Sequence, residues 1–537
     1  MSERGCAGAG RRAAREASLL VISLSQAMGI ASGALATDVV VGNGQPASCT
    51  EAALNSAIST VNASGGTITF NCGGAKTINL TSEKVFNNAS ATYAIDGGGL
   101  ITLSGQNATR IIFHLGGTLN LRSITLQEGR ASGLEDAASG GAIRSDSGGT
   151  VLNLTNVTFL NNVTNITGAP TPPYSPFDYG GAAVYTRLGQ LTVTSCRFSN
   201  NTAINSSGGA IHGRASTIVV TGSTFIANAS NGGGFGGAIY VDSLSPAGSN
   251  GTLELSHSLF RDNTAYNIGG AFYFFLHVGQ NEGVTIDTAS FLNNWVVENS
   301  GTIPWLPTRG IGGGGVVDGG RVTVLNSTFA GNGAQSSLGG SPGGGLALDK
   351  NDTVQITNST FSGNWAVGAD NAAGGGGLVI YNNTLPFQIT NSTIAFNHAG
   401  FTGGGIQSST SGVLTNTIVA NNTASNPWNI QHQCSAELTN GGGALQFPNV
   451  IGAPSSGNPL CANGVMVADP RLAALASNGG VTPTHALISG SAAIDSGSCV
   501  VSTDQRGVSR PQGPGCDIGS FEALTQGDLI FADGFQP

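Results

Sequence analysis

Between Phe159 and Asn421 one short pattern recurs nine times: an apolar residue, two variable residues, then asparagine. The copies end at Asn162, Asn201, Asn228, Asn263, Asn294, Asn332, Asn364, Asn397 and Asn421. The apolar residue is Phe in seven copies and Ile (Ile394, Ile418) in two. Spacings by subtraction run from 24 residues (421 − 397) to 39 (201 − 162). Most copies are followed by a glycine cluster, as in Gly208-Gly209-Ala210-Ile211, Gly236-Gly237-Ala238-Ile239 and Gly403-Gly404-Gly405-Ile406. A unit of this size cannot bury its apolar face alone. It must stack on its neighbours, so the chain is predicted to form a solenoid.

The segments between these marks read as short strands. Leu191 to Thr194, Thr217 to Val220 and Thr353 to Thr357 are β-branched and alternating, with Gly, Asn and Ser at each break. No window keeps a helical apolar period for long enough to compete. Each repeat is therefore expected to be one coil of two or three strands, with the Phe or Ile inward in a stacked column. The asparagine is placed at a sharp left-handed turn, where equivalent side chains form a ladder. The glycines supply positive φ and close backbone approach, which explains why there are 84 of them. The many Asn-x-Ser/Thr sequons, such as Asn326-Ser327-Thr328, follow from a repeat rich in these residues rather than from glycosylation.

A solenoid can use all 537 residues as one domain. Only 9% of them are charged, and the net charge is −9. Residues 1 to 36 hold four basic and two acidic side chains, leaving 20 − 4 = 16 basic against 29 − 2 = 27 acidic, or −11. No basic stripe exists, so nucleic acid is not expected as a partner. Arg4, Arg11, Arg12 and Arg15 precede an apolar stretch from Ala17 to Ile30 and then Ala34-Leu35-Ala36, the order of a signal peptide cleaved after Ala36. No later stretch is apolar for long enough to form a transmembrane helix.

Cys49 and Cys72 flank the start of the coil, and Cys434, Cys461, Cys499 and Cys516 follow the repeats. Cysteines at both ends suit disulfides that staple terminal caps in an oxidising compartment. Cys49–Cys72, Cys434–Cys461 and Cys499–Cys516 are the favoured pairs, although four C-terminal cysteines allow three connectivities. Cys196, inside a repeat, is expected to be a buried small apolar residue. The expected organisation is a signal peptide at 1–36, an N-terminal cap with the first coils at 37–130, and repeats at 131–430. C-terminal coils with their cap follow at 431–523, then a tail at 524–537.

Phe198-Ser199-Asn200-Asn201 followed by Gly208-Gly209-Ala210-Ile211 resembles the repeat of chlamydial polymorphic outer-membrane proteins, over about residues 140 to 421. That resemblance implies a right-handed parallel β-helix that is exported, surface-exposed and often adhesive. Those proteins end in an autotransporter β-barrel, for which the residues after the repeats leave no room. The Cys49 to Cys72 segment is similar to the entry of bacterial β-helix proteins marked by Cys-Ser-Leu-Arg-Glu-Ala, though Leu-Arg is missing here. The C-terminal run includes Asp469-Pro470-Arg471-Leu472, Gly490 to Asp495, Asp504-Gln505-Arg506-Gly507 and Cys516 to Glu522. It resembles the choice-of-anchor Q domain, which implies a cell-surface or extracellular setting. Asp495, Asp504, Arg506, Arg510 and Asp517 also have a structural reading, as charge-assisted bonds closing the last coil.

A β-helix can carry a polysaccharide lyase or hydrolase site, so the fold leaves chemistry open. The candidates are His212, Arg214, Asp242, Glu254, Asp262, Glu298, Asp318, Asp349, Lys350 and Asp352. They fall at different phases of the repeat and are expected on different faces, so no catalytic set, metal or cofactor is assigned. Two insertions carry more information. The stretch from asparagine to the glycine cluster grows to 18 residues at both Asn162–Gly180 and Asn294–Gly312 (180 − 162 and 312 − 294). Tyr174, Phe177 and Tyr179 lie in the first insertion, and Trp295 and Trp305 in the second. Insertions at one phase project from one edge and often mark a binding face, where exposed aromatics can stack on sugars. The expectation is an exported protein that binds carbohydrate or a neighbouring cell surface without catalysis; the alternative is a polysaccharide lyase or glycoside hydrolase.

Overall fold

The repeat unit closes into a coil because its apolar residues alternate along four short strands. In one coil these are Gln190–Thr194, Arg197–Ser199, Thr202–Ile204 and Ile211–Arg214. Leu191, Val193, Phe198, Ala203 and Ile211 point inward and are buried. The next coil lies on this one in parallel register, pairing Leu191 with Ile218, Phe198 with Phe225, Ala203 with Ser230 and Ile211 with Ile239. Stacking produces three parallel sheets: sheet I of 26 strands, to which most coils give two, sheet II of 11 and sheet III of 10. This is the parallel β-helix expected from the repeat. The computed structural model describes residues 36–524, except 169–177, 246–249, 298–309, 337–342, 369–372, 428–429, 431 and 449–459.

Phe159, Phe198, Phe225, Phe260, Phe291, Phe329 and Phe361 form one column inside the coil. Their rings lie near-parallel with centroids 4.5–5.0 Å apart. Strand spacing sets that distance, so the rings touch because the backbones pair. Beside the column runs the asparagine ladder. Asn263 Oδ1 accepts from both the backbone N–H and the Nδ2–H of Asn228, each at 3.0 Å. Asn263 Nδ2 then donates to Asn294 Oδ1 and to the Phe225 carbonyl of the preceding coil, both at 2.9 Å. The same pattern runs from Asn162 to Asn422, where Gln433 Oε1 takes over.

Two details differ from the expectation. The left-handed residue is the one before the ladder asparagine, as at Asn200 (φ 55°), Ala227 (φ 53°) and Asp262 (φ 58°). The ladder asparagine itself is buried and spends its amide on neighbouring coils. The ninth copy is also displaced by one residue: Val419, not Ile418, pairs with Ile394, and Asn422, not Asn421, joins the ladder. Asn421 takes the left-handed position instead (φ 55°).

A second ladder marks the bend between the two strands of sheet I. Cys196, Ser223, Ser258, Ser327, Ser359, Ser392 and Thr417 occupy equivalent positions there. Each hydroxyl accepts a backbone N–H from the coil before, as in Ser223 N–H to Ser258 Oγ at 3.1 Å. The residue before each is left-handed, as at Asn326 (φ 49°) and Asn358 (φ 48°). Left-handed Asn, ladder Ser and strand-opening Thr together spell a sequon. Asn358 and Asn391 are buried, which fits the reading of these sequons as products of the repeat. Cys196 takes a ladder position as a buried free thiol, and burial pushes it up to about 11.

The glycine cluster turns sheet III into sheet II. Gly236 is left-handed (φ 62°), and a Cβ on Gly237 would sit 2.0 Å from the Gly270 carbonyl oxygen of the next coil. Only glycine permits that approach.

Both ends are capped. The N-terminal cap is a helix, Glu51–Ser64, which the period analysis missed. Leu54, Ala57, Ile58 and Val61 form its buried stripe at the i, i+3, i+4, i+7 spacing. Thr50 caps its start by accepting the Ala53 N–H at 3.2 Å, and Gly65 ends it. The three disulfides join Cys49–Cys72, Cys434–Cys461 and Cys499–Cys516.

The C-terminal module does more than close the last coil. It folds back along the outer face of sheet I. Thr328 donates to the Pro483 carbonyl (2.6 Å), Thr360 to Gln505 (2.6 Å), and Ser520 N–H donates to Thr393 (3.1 Å). Inside the module Arg510 pairs with Glu522 at 2.9 Å, both fully buried, and Arg506 pairs with Asp504 at 2.6 Å. The Asp495 N–H and the Ala523 N–H both bond the Asp517 carboxylate. These charges therefore lock the strap to itself, while its hydroxyl and amide groups lock it to the coil.

Replacing Asn263 by Ala removes both Nδ2 bonds and leaves the Asn228 N–H and Nδ2–H without their acceptor. The expected loss is about 3 kcal/mol or more of unfolding free energy, read as a lowered urea midpoint. Asn200→Gly, at the left-handed position, is expected to cost under about 1 kcal/mol. Equal losses at the two sites would refute the division of labour between the two asparagines.

Candidate functional site

Outward positions on sheets II and III are free of the stacking constraint, and their chemistry differs sharply between the two sheets. On sheet II the fourth strand position runs in register from Asp146 through Arg187, Arg214, Asp242, Phe275, Asp318 and Asp349 to Tyr381. Arg214, Asp242, Asp318 and Asp349 thus share one row, and His212 lies on the same sheet two residues before Arg214. The expectation that these groups occupy different faces is overturned, because insertions of different length shift their place in sequence without shifting their register.

Arg214 lies 3.5 Å from Asp178 and 3.7 Å from Asp242, and Lys350 lies 3.5 Å from Asp318 and 3.0 Å from Asp349. Burial raises the Asp242 and Asp318 carboxyls above the usual range, against the pull of Arg214 and Lys350. Phe275, 39% exposed, sits between those two aspartates. Two coil rises separate their backbones, about 10 Å. Among the described residues no three His, Cys, Asp or Glu side chains are grouped to hold a metal ion.

The other candidates scatter. Glu254 points outward from sheet I between Val219 and Thr285. Asp262 is a left-handed turn residue beside Arg261 at 3.2 Å. Asp352 accepts the Gly279 N–H at 3.1 Å, and Glu298 lies outside the described residues. His212 is fully buried between the Tyr185 and Tyr240 rings, 5.2 and 4.9 Å away edge-on. Burial pushes it down to about 3, so it is neutral near pH 7.

The two long insertions both lie between a strand of sheet III and a strand of sheet II: after Val163–Ile166 in one case and after Trp295–Val297 in the other. They leave the coil on one edge, as their phase implied. Tyr174, Phe177 and Trp305 lie outside the described residues. Tyr179 is buried against Ala138 and Ile166, so its ring offers no stacking surface. Trp295 belongs to sheet III itself. It is 38% exposed, and its ring meets that of Trp365 edge-on with centroids 4.8 Å apart.

Gly333 stands between the two tryptophans in register, and a Cβ there would come within 2.4 Å of the Trp365 ring. Glycine at this one position lets the rings meet. Trp365 went unnoticed in the sequence, although it follows Asn364 as Trp295 follows Asn294, and that shared phase was the available signal. Val297, Gln335 and Val367 make the row beside them. No protein-family model, curated protein or solved structure matches the chain.

Because His212 prefers the neutral form when folded, the unfolded chain binds more protons between pH 6.5 and about 3. Stability from this residue is complete above 6.5 and falls as the pH drops through that window. His212→Phe, which keeps a ring between the tyrosines, is expected to flatten this part of the stability–pH curve. A His212 imidazole resonance, assigned by its loss in His212→Phe, that titrates near 6.5 in the folded protein would contradict the assignment.

Proposed function

We propose that this chain is an exported β-helix protein of a bacterial surface or the extracellular space, and that it binds carbohydrate without turning it over. The observation that carries the reading is the Trp295–Trp365 pair: two indoles in contact on an outward sheet face, beside the edge from which the long insertions leave. Trp295 is exposed and Trp365 half-buried beside it, and aromatic rings open to water suit stacking on the apolar faces of sugars. Three disulfides support an oxidising compartment. The basic-then-apolar segment before Ala36 and the likeness to surface β-helix repeats and to the choice-of-anchor Q domain support export. Among the described residues no helix is long and apolar enough to cross a membrane.

A second reading has one specific observation in its favour. Asp242 and Asp318 flank exposed Phe275 in one register row, and a glycoside hydrolase works with two carboxyls set across a sugar, one kept protonated as acid and one ionised as base. A glycan panel separates the two readings if retention and release of reducing ends are scored together. Retention without release, weakened about tenfold or more by Trp295→Ala and by Trp365→Ala, is the expected result. Release that disappears in Asp242→Asn and Asp318→Asn would replace binding with hydrolysis as the function.

A further inference from the structure

Sheet III carries a second recognition element on the same row as the tryptophans. Arg130 opens the first strand of that sheet, Arg130–Gly133. It pairs with Val163, and the same register position continues through Thr202, Ala229 and Thr264 to Trp295. Five coil rises separate Arg130 from Trp295, about 24 Å. The residues between them are small or short, so the row is a shallow floor with an arginine at one end and an aromatic platform at the other.

Arg130 also lines a cleft of about 400 Å³ with Glu83, Asn107, Arg110 and Ser132. The charges in this cleft do not cancel. Glu83 is taken by Arg110 at 2.6 Å, and Arg110 spends its remaining nitrogens on the Ala137, Ser139 and Gly140 carbonyls. Arg130 makes one side-chain bond among the described residues, from Nε to Ser132 Oγ at 3.1 Å. Arg130 is in no ion pair among the described residues, although Glu83 lines the same cleft. The sheet around it is unusual for this acidic chain, because no strand residue of sheet III is Asp or Glu. The outward row of sheet II, by contrast, holds four aspartates.

We infer that sheet III binds an extended glycan carrying carboxylates, laid along the helix axis, with a uronate carboxylate on the Arg130 guanidinium and sugar faces on Trp295 and Trp365. The inference rests on the carbohydrate reading above and adds the ligand's charge, its direction and its minimum length. A planar guanidinium donates two parallel N–H bonds to a carboxylate, a bidentate pair that a neutral sugar cannot form. Strands without acids do not repel the rest of an anionic chain, and the Glu83 carboxylate beside Arg130 is already held by Arg110.

The test is titration of the purified full chain with oligogalacturonates and with their methyl esters, at lengths shorter and longer than about 24 Å. The long acid should bind about tenfold more tightly than the long ester, the worth of one charge-assisted pair. Arg130→Met should bring the acid down to the ester's affinity and leave the ester unchanged, with Arg130→Lys in between. Trp295→Ala should weaken both long ligands, whereas an acid dimer bound at Arg130 should not sense it. Unchanged melting temperatures exclude misfolding as the cause. Equal affinity for long acid and long ester, or an Arg130→Met effect shared by both, overturns the inference while leaving carbohydrate binding intact. No binding of either overturns the inference too, while the carbohydrate reading stands or falls on the glycan panel.

Discussion

A buried primary amide that is satisfied only by the coils on either side of it sets the geometry of this protein. From Asn201 to Asn397 each ladder Oδ1 accepts two hydrogen bonds from the preceding coil, and each Nδ2 donates onward to the next ladder oxygen and back to a phenylalanine carbonyl. One asparagine thus binds three coils in a fixed register. An unpaired buried amide costs more than a paired one returns, so a coil out of register is penalised at every rung. The phenylalanine column, the hydroxyl ladder and the glycine turn all inherit their spacing from that register. The ladder ends at Gln433, the one side chain of the series with a longer arm, just before Cys434 pairs with Cys461.

Inward positions are thereby committed, and function is left to the outward ones. The two outward faces have diverged. Sheet II carries acids together with Arg187 and Arg214, with Lys350 at a strand end, and most of these charges are answered by a neighbour within 4 Å. Sheet III has no acid in its strands and keeps two tryptophans and an arginine on one row. A face whose charges are already paired is suited to stability, or to chemistry between paired groups. One with exposed rings and an unanswered guanidinium is suited to holding something else. This contrast is why the proposed binding is assigned to sheet III and the competing hydrolase reading to sheet II.

The period, the inward Phe column, the existence of the ladder and the disulfide pairs were legible in the sequence, because each rests on spacing along one chain. The cap helix was legible and missed: Leu54, Ala57, Ile58 and Val61 carry a clear helical period, but over only two turns, in a chain where strands dominate. The acidic row of sheet II was hidden for a different reason. Asp242, Asp318 and Asp349 are brought together by coils of unequal length, so their separations in sequence carry no common number; only counting from the ladder asparagine or the glycine cluster recovers the phase. Trp365 could have been found by that count. The burial of Tyr179 could not, since it depends on Ala138 of the preceding coil as well as on Ile166 of its own. The ninth copy misled because Asn421 and Asn422 are adjacent, and local pattern alone cannot choose between them.

The C-terminal strap narrows the choice of functional face further. Its contacts with Thr328, Thr360 and Thr393 cover the outer side of the short strands of sheet I over consecutive coils. The threonines that open these strands are repeat positions whose hydroxyls would otherwise face water. The strap carries its own ion pairs, sealed inside it, so it can lie against an uncharged surface without importing a charge to be desolvated. Along the coils it covers, sheet I is spoken for, and sheet II is largely self-paired. Sheet III, which runs beside the insertion edge and is crossed by no such strap among the described residues, is the long face on which the fold leaves polar and aromatic groups without partners of their own.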